Sequence, residues 1–336
     1  MRTLLGFLIA ASFIFFAFRG ISFTLLWHDA LQANFFILIV TVVVVIFSHF
    51  LRALRWRVIL QEIKKDVSVV DTWGSIMVGY LLNNFVPRLG EFVRAYTTGK
   101  IEGTSVSGVL GTIVLERLFD MLSAGILFGI ALATYRESII GAFPLLQVIG
   151  AVLVAGSIAI GAVLYVAATV EKANELLMRF AKAIVPKRFA SKVEQIIGSF
   201  LSSFSILRSP RSLSRVLLYT TLIWLVYVFT IYIPFFAFRS TTALTFYDSF
   251  VLAMVTTVAW TLPSPGGLGV YHLFVSQTLI RFFGVVPDEA LAYATLTHLF
   301  GYVAITVVGT IFAFIFTQRL KIRSVGSFLG AKDEDG

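Results

Sequence analysis

Long apolar runs separated by clusters of Lys and Arg are the feature that most limits how this chain can fold. The sequence is 58% hydrophobic and only 13% charged over 336 residues. Residues 4–18, 34–50, 145–170 and 213–238 approach or exceed the roughly 20 apolar residues that a helix needs to cross a bilayer. The sequence therefore predicts an all-α fold, that of a polytopic helical membrane protein.

The positions of the basic residues predict the topology. The net charge is +9, but the Lys and Arg residues cluster in a few loops, which favours a topology signal over nucleic-acid binding. Residues 171–215 and the tail from Arg319 are rich in Lys and Arg, so we expect them, together with both termini, to be cytoplasmic in a multi-pass protein of the cell membrane. A third cytoplasmic loop is expected to contain Arg52, Arg55, Arg57, Lys64 and Lys65.

The apolar stretch that begins at Trp73 is interrupted by polar residues between 82 and 96. Pro87 lacks an N–H group and disfavours helical angles at the residue before it, so a helix should end here and a second one should begin near Arg88. Arg88, Glu91 and Arg94 would then share one helical face. Broken helices at membrane depth are tolerated where protein or a wet cavity satisfies their backbone, so this stretch should line a cavity. Two asparagines, Asn83 and Asn84, either cap the broken helix or bind a head group.

A second interruption lies between the apolar segments 246–262 and 270–283. Gly266, Gly267 and Gly269 permit unusual backbone angles, and one interpretation of the backbone N–H groups from Gly266 to Val270 is a phosphate cradle, although glycine-rich turns are common. His272 follows one helical turn later, in a position to donate to an anion or to shuttle a proton. His298 is interpreted as a buried hydrogen-bonding residue.

The two interruptions predict inverted-topology repeats, each with a broken or re-entrant helical hairpin followed by a long helix. The first repeat would cover about residues 71–135 and the second about 246–317, within a single membrane domain of residues 1–323 and before a polar tail at 324–336. Alternatively, each short apolar segment crosses the membrane as an ordinary helix. Between the repeats, residues 171–212 show two amphipathic patterns, which indicate helices on the inner leaflet or against the cytoplasmic face of the bundle.

Three ionisable residues lie inside the long apolar run 105–135. Glu116 and Asp120 are four residues apart and share a face, and Arg117 is close enough to pair with Asp120. One interpretation is an internal ion-pair cluster that includes Arg88 or Arg94 and only holds helices together. The other is that the excess of Arg faces a substrate phosphate.

Several chemistries have no support in the residues. The chain has no Cys, which excludes disulfides and thiol catalysis, and its four His are scattered, so neither a metal site nor a cofactor is expected. The polar residues of both interruptions and of the long run instead predict a substrate site. This candidate site comprises Asn83, Asn84, Arg88, Glu91, Arg94, Glu116, Arg117, Asp120, Gly266, Gly267, Gly269 and His272.

Three motifs resemble those of the lysylphosphatidylglycerol synthase transmembrane-region family, also described as flippase-like. They are N-F-V-P-R-L-G-E-F-V-R from Asn84 to Arg94, E-R-x-x-D from Glu116 to Asp120, and P-G-G-L-G from Pro265 to Gly269. The resemblance covers roughly residues 2–323 and implies a membrane domain that moves lipids or lipid-linked head groups between leaflets. Relatives often have Glu where this chain has His272.

The sequence therefore predicts a transporter-type lipid translocase whose partner is an anionic membrane lipid or a lipid-linked phosphate, with a homo-oligomer left open. Two alternatives remain. An intramembrane transferase would use Glu91 or Asp120 as a base or metal ligand. In a non-catalytic membrane scaffold, the polar residues would only hold the bundle together.

Overall fold

The computed structural model describes residues 2–142, 146–184 and 190–333. Within these ranges all the regular secondary structure is helical, and there is no strand. The helices are α1 (Arg2–Phe18), α2 (Phe23–Gln32), α3 (Phe35–Leu60), α4 (Val69–Asn83), α5 (Leu89–Glu102), α6 (Val106–Ala142), α7 (Leu146–Thr169), α8 (Glu171–Ile184), α9 (Ala190–Ser202), α10 (Pro210–Tyr232), α11 (Phe246–Ala259), α12 (Val270–Phe283) and α13 (Pro287–Asp333).

Three of the described helical segments are long and apolar enough to cross a membrane. They are Phe35–Leu60, Pro210–Ala237 and Pro287–Leu320. A fourth span is possible if α1 and α2, which are bent by 89° relative to each other, count as one broken span. The prediction of an all-α, polytopic membrane protein is therefore confirmed.

Helix α3 corrects the expectation that a basic loop begins after residue 50. The helix continues to Leu60, so Arg52, Arg55 and Arg57 lie inside it. Arg52 and Arg55 are buried rather than exposed in a loop. The helix can continue through these positions because acidic side chains on α6 compensate their charge.

Helices α4 and α5 form the first hairpin, and the break predicted at Pro87 is confirmed. Helix α4 ends at Asn83 and α5 begins at Leu89, after Arg88 has adopted a left-handed conformation with φ of 64°. The two helices have 15 and 14 residues, which at 1.5 Å per residue is about 22 and 21 Å. Either helix alone is shorter than the roughly 30 Å hydrocarbon core of a bilayer. The hairpin is tight, since a Cβ on Gly90 would lie 1.9 Å from the carbonyl oxygen of Gly79.

Helices α11 and α12 form the second hairpin. Thr245 and Asp248 form a reciprocal capping box at the start of α11, in which each side chain accepts from the other residue's N–H. The turn that follows contains Gly266, Gly267 and Gly269, all with positive φ, which a residue with a Cβ rarely adopts. Helix α12 then begins at Val270, as the sequence predicted.

Each hairpin is followed by a long helix, α6 after the first and α13 after the second. Helix α13 packs along α4, α12 and α2, while α6 packs against α5 and α11. The largest buried cluster surrounds Trp56 on α3 and includes residues of α4, α6 and α10. The hairpin-then-long-helix order thus occurs twice, and the opposite orientation of the two halves in a membrane stays a prediction.

The segment between α7 and α10 contains the two helices that the amphipathic patterns predicted. Helix α9 and the turn after it pack on α6, because Phe204 is fully buried and Ser203 donates to the carbonyl of Gly108 at 2.8 Å. Helix α8 is different, since Leu176 and Phe180 remain exposed on its apolar face. The second half of the segment therefore packs on the bundle.

Candidate functional site

The carboxylate of Glu116 on α6 is fully buried and contacts three guanidinium groups. Arg52 and Arg94 form short ion pairs with its two oxygens, and Nη2 of Arg55 lies 3.1 Å from Oε1. Arg52 also donates from Nε at 3.2 Å. Glu116 thereby joins α3, α5 and α6 at one point in the interior.

Asp120 lies one helical turn further along α6 and extends the same network. Its Oδ1 is 2.7 Å from Nη2 of Arg55, and its Oδ2 is 3.4 Å from Nη2 of Arg52. Arg117 approaches Oδ2 at 3.6 Å. The prediction that Glu116 and Asp120 share a face, and that Arg117 pairs with Asp120, is confirmed.

Arg117 also connects the network to the first hairpin. Its Nε lies 2.9 Å from Oε1 of Glu91, the acidic residue in the first turn of α5. The network, which we call the ionic cluster, consists of Arg52, Arg55, Arg94, Arg117, Glu91, Glu116 and Asp120. Four arginines against three carboxylates leave one net positive charge when all seven are ionised.

Aromatic and hydroxyl side chains surround the arginines. The guanidinium of Arg94 lies over the Trp56 ring at 3.5 Å from its centroid, a cation–π contact in a buried setting. Arg52 donates to the hydroxyl of Tyr227 at 3.2 Å, and Arg55 to that of Thr220 at the same distance. Both acceptors lie on α10, so a fourth helix contributes to the site.

The ionic cluster has a buried interior and one accessible edge. The side chains of its interior members, Arg52, Arg55, Arg94 and Glu116, are all at least 95% buried. Arg117 and Glu91, by contrast, have side-chain exposures of 35% and 39%. The Arg117–Glu91 pair is therefore the part of the cluster nearest the surface, while Nε of Arg117, the atom that faces Glu91, is itself buried.

Sequence analysis placed five members in the site and missed two. Glu91, Arg94, Glu116, Arg117 and Asp120 are brought together. Arg52 and Arg55 were assigned to a loop by their charge alone. Their three-residue spacing, which puts both on one face of a helix, is the signal that would have found them.

Arg88 does not join the ionic cluster. Its Nη2 donates to the carbonyl of Thr261 at 2.9 Å, which links the turn of the first hairpin to that of the second. Asn84 connects the first turn to α13, because its side-chain amide donates to Thr306 at 2.9 Å. Asn83, the last residue of α4, accepts from the N–H of Gly90 in the first turn of α5 at 2.8 Å, so it supplies the cap that was one of the two alternatives, although Arg88 occupies the N-cap position itself.

The glycine turn and His272 form a separate, largely aromatic region. His272 contacts the rings of Phe18, Tyr271 and His298. Nε2 of His298 lies 2.8 Å from the carbonyl oxygen of Gly266. His298 is thus a buried hydrogen-bonding residue, as expected.

The backbone of this turn satisfies part of its own hydrogen-bonding capacity. Within it, Gly267 donates to Ser264 and Leu268 donates to Pro265. Two N–H groups of the predicted cradle are therefore already used. Gly269 closes the turn against α1, where a Cβ would lie 2.4 Å from the carbonyl oxygen of Ala10.

Metal ligation has no visible basis in the part of the chain that the structure describes. No three His, Asp or Glu side chains are grouped there in a way that could hold a metal ion. The acidic residues of the ionic cluster instead face guanidinium groups.

Comparison with known proteins identifies the family. A UPF0104 membrane protein of Methanothermobacter thermautotrophicus is 28% identical over 278 residues, which cover 76% of this chain and 78% of that protein. A UPF0104 membrane protein of Pyrococcus horikoshii is 24% identical over 84% of this chain and 87% of its own length. The glycosyltransferase AglD of Haloferax volcanii is 27% identical over 80% of this chain but only 46% of its own length. No solved structure matches. The model of the lysylphosphatidylglycerol synthase TM region matches residues 3–309, and the chain therefore belongs to this family of integral membrane proteins.

Proposed function

We propose that this protein is a lipid translocase that accepts an anionic or lipid-linked phosphate head group at the edge of the ionic cluster. The observation that carries the proposal is the Arg117–Glu91 pair, the accessible end of a buried network with one excess positive charge. The acyl or isoprenoid chains would stay in the bilayer while the head group enters.

The chemistry of the pair fits an exchange of anions. Arg117 is held by a carboxylate that is itself more than one third exposed, so a phosphate can take the place of Glu91 without uncovering Glu116. Guanidinium groups bind phosphate through charge-assisted hydrogen bonds, which are about twice as strong as neutral ones. The buried arginines behind Arg117 add a positive potential that favours this exchange.

The broken helices support a path through the membrane. Their turns contact each other through Arg88 and Thr261, and irregular backbone at membrane depth is tolerated where it lines a cavity. Short interrupted helices in two halves of a chain are a feature of transporters with a central site. Within this proposal the halves are inverted repeats of about residues 71–135 and 246–317, and both termini are in the cytoplasm of a cell-membrane protein.

The names of the relatives are compatible with such a substrate. The family carries the name of a lysylphosphatidylglycerol synthase, and one relative is named as a glycosyltransferase. Membrane lipids and lipid-linked glycan carriers share a phosphate next to the hydrophobic chain. We therefore propose the phosphate, rather than the group beyond it, as the feature recognised by Arg117.

One observation also favours a second candidate, a structural scaffold. Glu116 is saturated by three guanidinium groups, which is sufficient to hold α3, α5 and α6 together without any ligand. In that case the exposed Arg117–Glu91 pair would have no function of its own. The two candidates differ in what happens when Arg117 alone is changed.

Purified protein in vesicles with a trace of NBD-labelled phosphatidylglycerol tests the proposal. Dithionite bleaches only the outer leaflet, so the protected fraction reports exchange. We expect wild-type protein to accelerate exchange, and Arg117→Gln to slow it about tenfold or more, because one charge-assisted hydrogen bond contributes about 1.5–3 kcal/mol. Arg179→Gln, which removes an exposed guanidinium on α8, is the matched control and should exchange like wild type.

Each alternative has its own result. Exchange by Arg117→Gln at the wild-type rate, with the variant folded, would contradict the proposed site. No exchange by wild-type protein with any of NBD-phosphatidylglycerol, NBD-phosphatidic acid or an NBD-labelled isoprenoid phosphate would favour the scaffold. A change in the mass of the lipid would favour the transferase.

A further inference from the structure

Helix α2 leaves the direction of α1 at nearly a right angle. The segments Phe7–Phe18 and Phe23–Gln32 are bent by 89°, and only four residues separate them. Helix α1 is apolar along its length and exposes Phe15 and Phe16. If α1 follows the membrane normal, α2 lies parallel to the membrane surface.

Helix α2 has one packed stripe and two exposed stripes at helical spacing, and its remaining side carries Asp29 and Leu25, which is 52% exposed next to Gln32. One stripe, with Leu26 and Ala30, packs into the buried cluster around Tyr293. The next two are exposed and differ in polarity. Phe23, Trp27 and Leu31 form an apolar stripe with exposures of 67%, 68% and 59%, and Thr24, His28 and Gln32 form a polar stripe beside it.

Contacts at both ends hold α2 in this orientation. Ser22 caps the helix and donates its N–H to Asp288 at the start of α13, at 3.0 Å. At the other end, the N–H of Asn34 donates to the carbonyl of Ala237 at 2.9 Å. The rings of Phe18 and Phe23 stack across the bend at 5.8 Å. The exposed apolar stripe is thus a fixed surface.

The exposed surfaces of α1 and α3 beside the apolar stripe of α2 indicate that lipid covers this stripe. Phe35 and Phe36, which begin the spanning helix α3, are also exposed, so the apolar surface continues from α1 through α2 to α3. Arg19 is exposed in the bend itself, and Arg side chains near a membrane surface extend their charged ends toward the head groups. Trp is enriched at the boundary between head groups and acyl chains, and Trp27 lies in the middle of the apolar stripe.

We propose that α2 is an in-plane membrane helix that lies at the head-group boundary of one leaflet. Its partner is the lipid surface: the stripe of Phe23, Trp27 and Leu31 enters the acyl region, and the stripe of Thr24, His28 and Gln32 faces head groups and water. The helix fixes how deep the bundle sits. This inference does not depend on lipid transport.

The absence of Cys from the sequence allows a direct test. Single variants Leu31→Cys and Gln32→Cys, each carrying a nitroxide label, are compared in vesicles of phosphatidylcholine and phosphatidylglycerol. The two positions are adjacent on one helix, which makes each the control of the other. Val43→Cys, exposed on α3, provides the acyl-region reference. Size-exclusion chromatography first confirms that each labelled variant is monodisperse.

Electron paramagnetic resonance then measures how accessible each nitroxide label is to oxygen, which concentrates in the acyl region, and to a water-soluble nickel chelate. We expect the label at position 31 to be reached mainly by oxygen, like that at position 43, and the label at position 32 mainly by nickel. Labels at both positions reached mainly by oxygen would make α2 part of a broken span within the membrane. Labels at both reached mainly by nickel would place α2 in water. Either result overturns the proposal.

Discussion

Replacing Glu116 with Gln tests whether the ionic cluster is held by charge compensation. The substitution keeps the shape of the side chain and one acceptor oxygen, but it removes the only negative charge that contacts Arg52, Arg55 and Arg94 together. The net charge of the cluster rises from one to two positive charges, in a setting where these side chains are nearly inaccessible to water.

The expected loss of stability in Glu116→Gln follows from the burial of the ion pairs that Glu116 forms. Breaking a buried ion pair by removing one partner typically costs about 3–5 kcal/mol, because the remaining charge is buried without compensation. Asp120 still contacts Arg52 and Arg55, so Arg94 becomes the least compensated of the three arginines. We therefore expect Glu116→Gln to lower the free energy of unfolding by about 3–5 kcal/mol.

The assay is denaturant unfolding of the purified protein in detergent micelles, followed by tryptophan fluorescence. Glu175→Gln is the control, because it removes a carboxylate from an exposed i,i+4 pair on α8 and should change stability by less than about 0.5 kcal/mol. The double variant Glu116→Gln with Arg94→Gln should be more stable than Glu116→Gln alone, since it returns the net charge to one. A loss below about 1 kcal/mol for Glu116→Gln, or no recovery in the double variant, would refute the reasoning.

Two further predictions concern the first hairpin. Gly90→Ala should destabilise the fold by about 3 kcal/mol or more in the same assay, because its Cβ would overlap the backbone of Gly79 at 1.9 Å. Gly301→Ala on α13, where nothing lies within 4 Å, is the control and should be neutral or stabilising by up to about 1 kcal/mol; similar losses for both would contradict the close approach. Asn83→Ala should cost about 1 kcal/mol through loss of the cap on Gly90, and Asn83→Asp, which keeps an acceptor oxygen, should retain most of that stability. Equal losses for the two Asn83 variants would argue against the cap.

The breaks in the helices could be predicted because they depend on local chemistry. Pro87 has no N–H group and restricts the residue before it, and the chain does leave the helix between Asn83 and Leu89. The second break follows from the glycines near residue 266 in the same way. The common face of Glu116 and Asp120 also needed only helical spacing.

Arg94 was among the partners considered for the acidic residues of the long run, but the other two partners of Glu116 could not be predicted, because they are distant in sequence. Arg52 and Arg55 lie more than 60 residues before Glu116. The sequence alone does not distinguish an Arg in a cytoplasmic loop from an Arg that is buried within a helix. The only indication in the sequence was their three-residue spacing, which places both on one face of a helix. The bend between α1 and α2 was also missed, although it contains Gly20 with a positive φ and the capping residue Ser22, whose N–H also contacts the start of α13.

The division of the ionic cluster into interior and edge separates stability from function. Glu116 and its arginines connect α3, α5 and α6, so a change there should affect the fold first. Arg117 is different, because Asp120 keeps Arg52 and Arg55 as partners when Arg117 is replaced. A structural scaffold requires only the buried interior of the ionic cluster, around Glu116. A translocase also requires the Arg117–Glu91 pair at its edge. A variant of Arg117 that is as stable as wild type but slow in lipid exchange would therefore be explained by head-group binding and not by loss of structure.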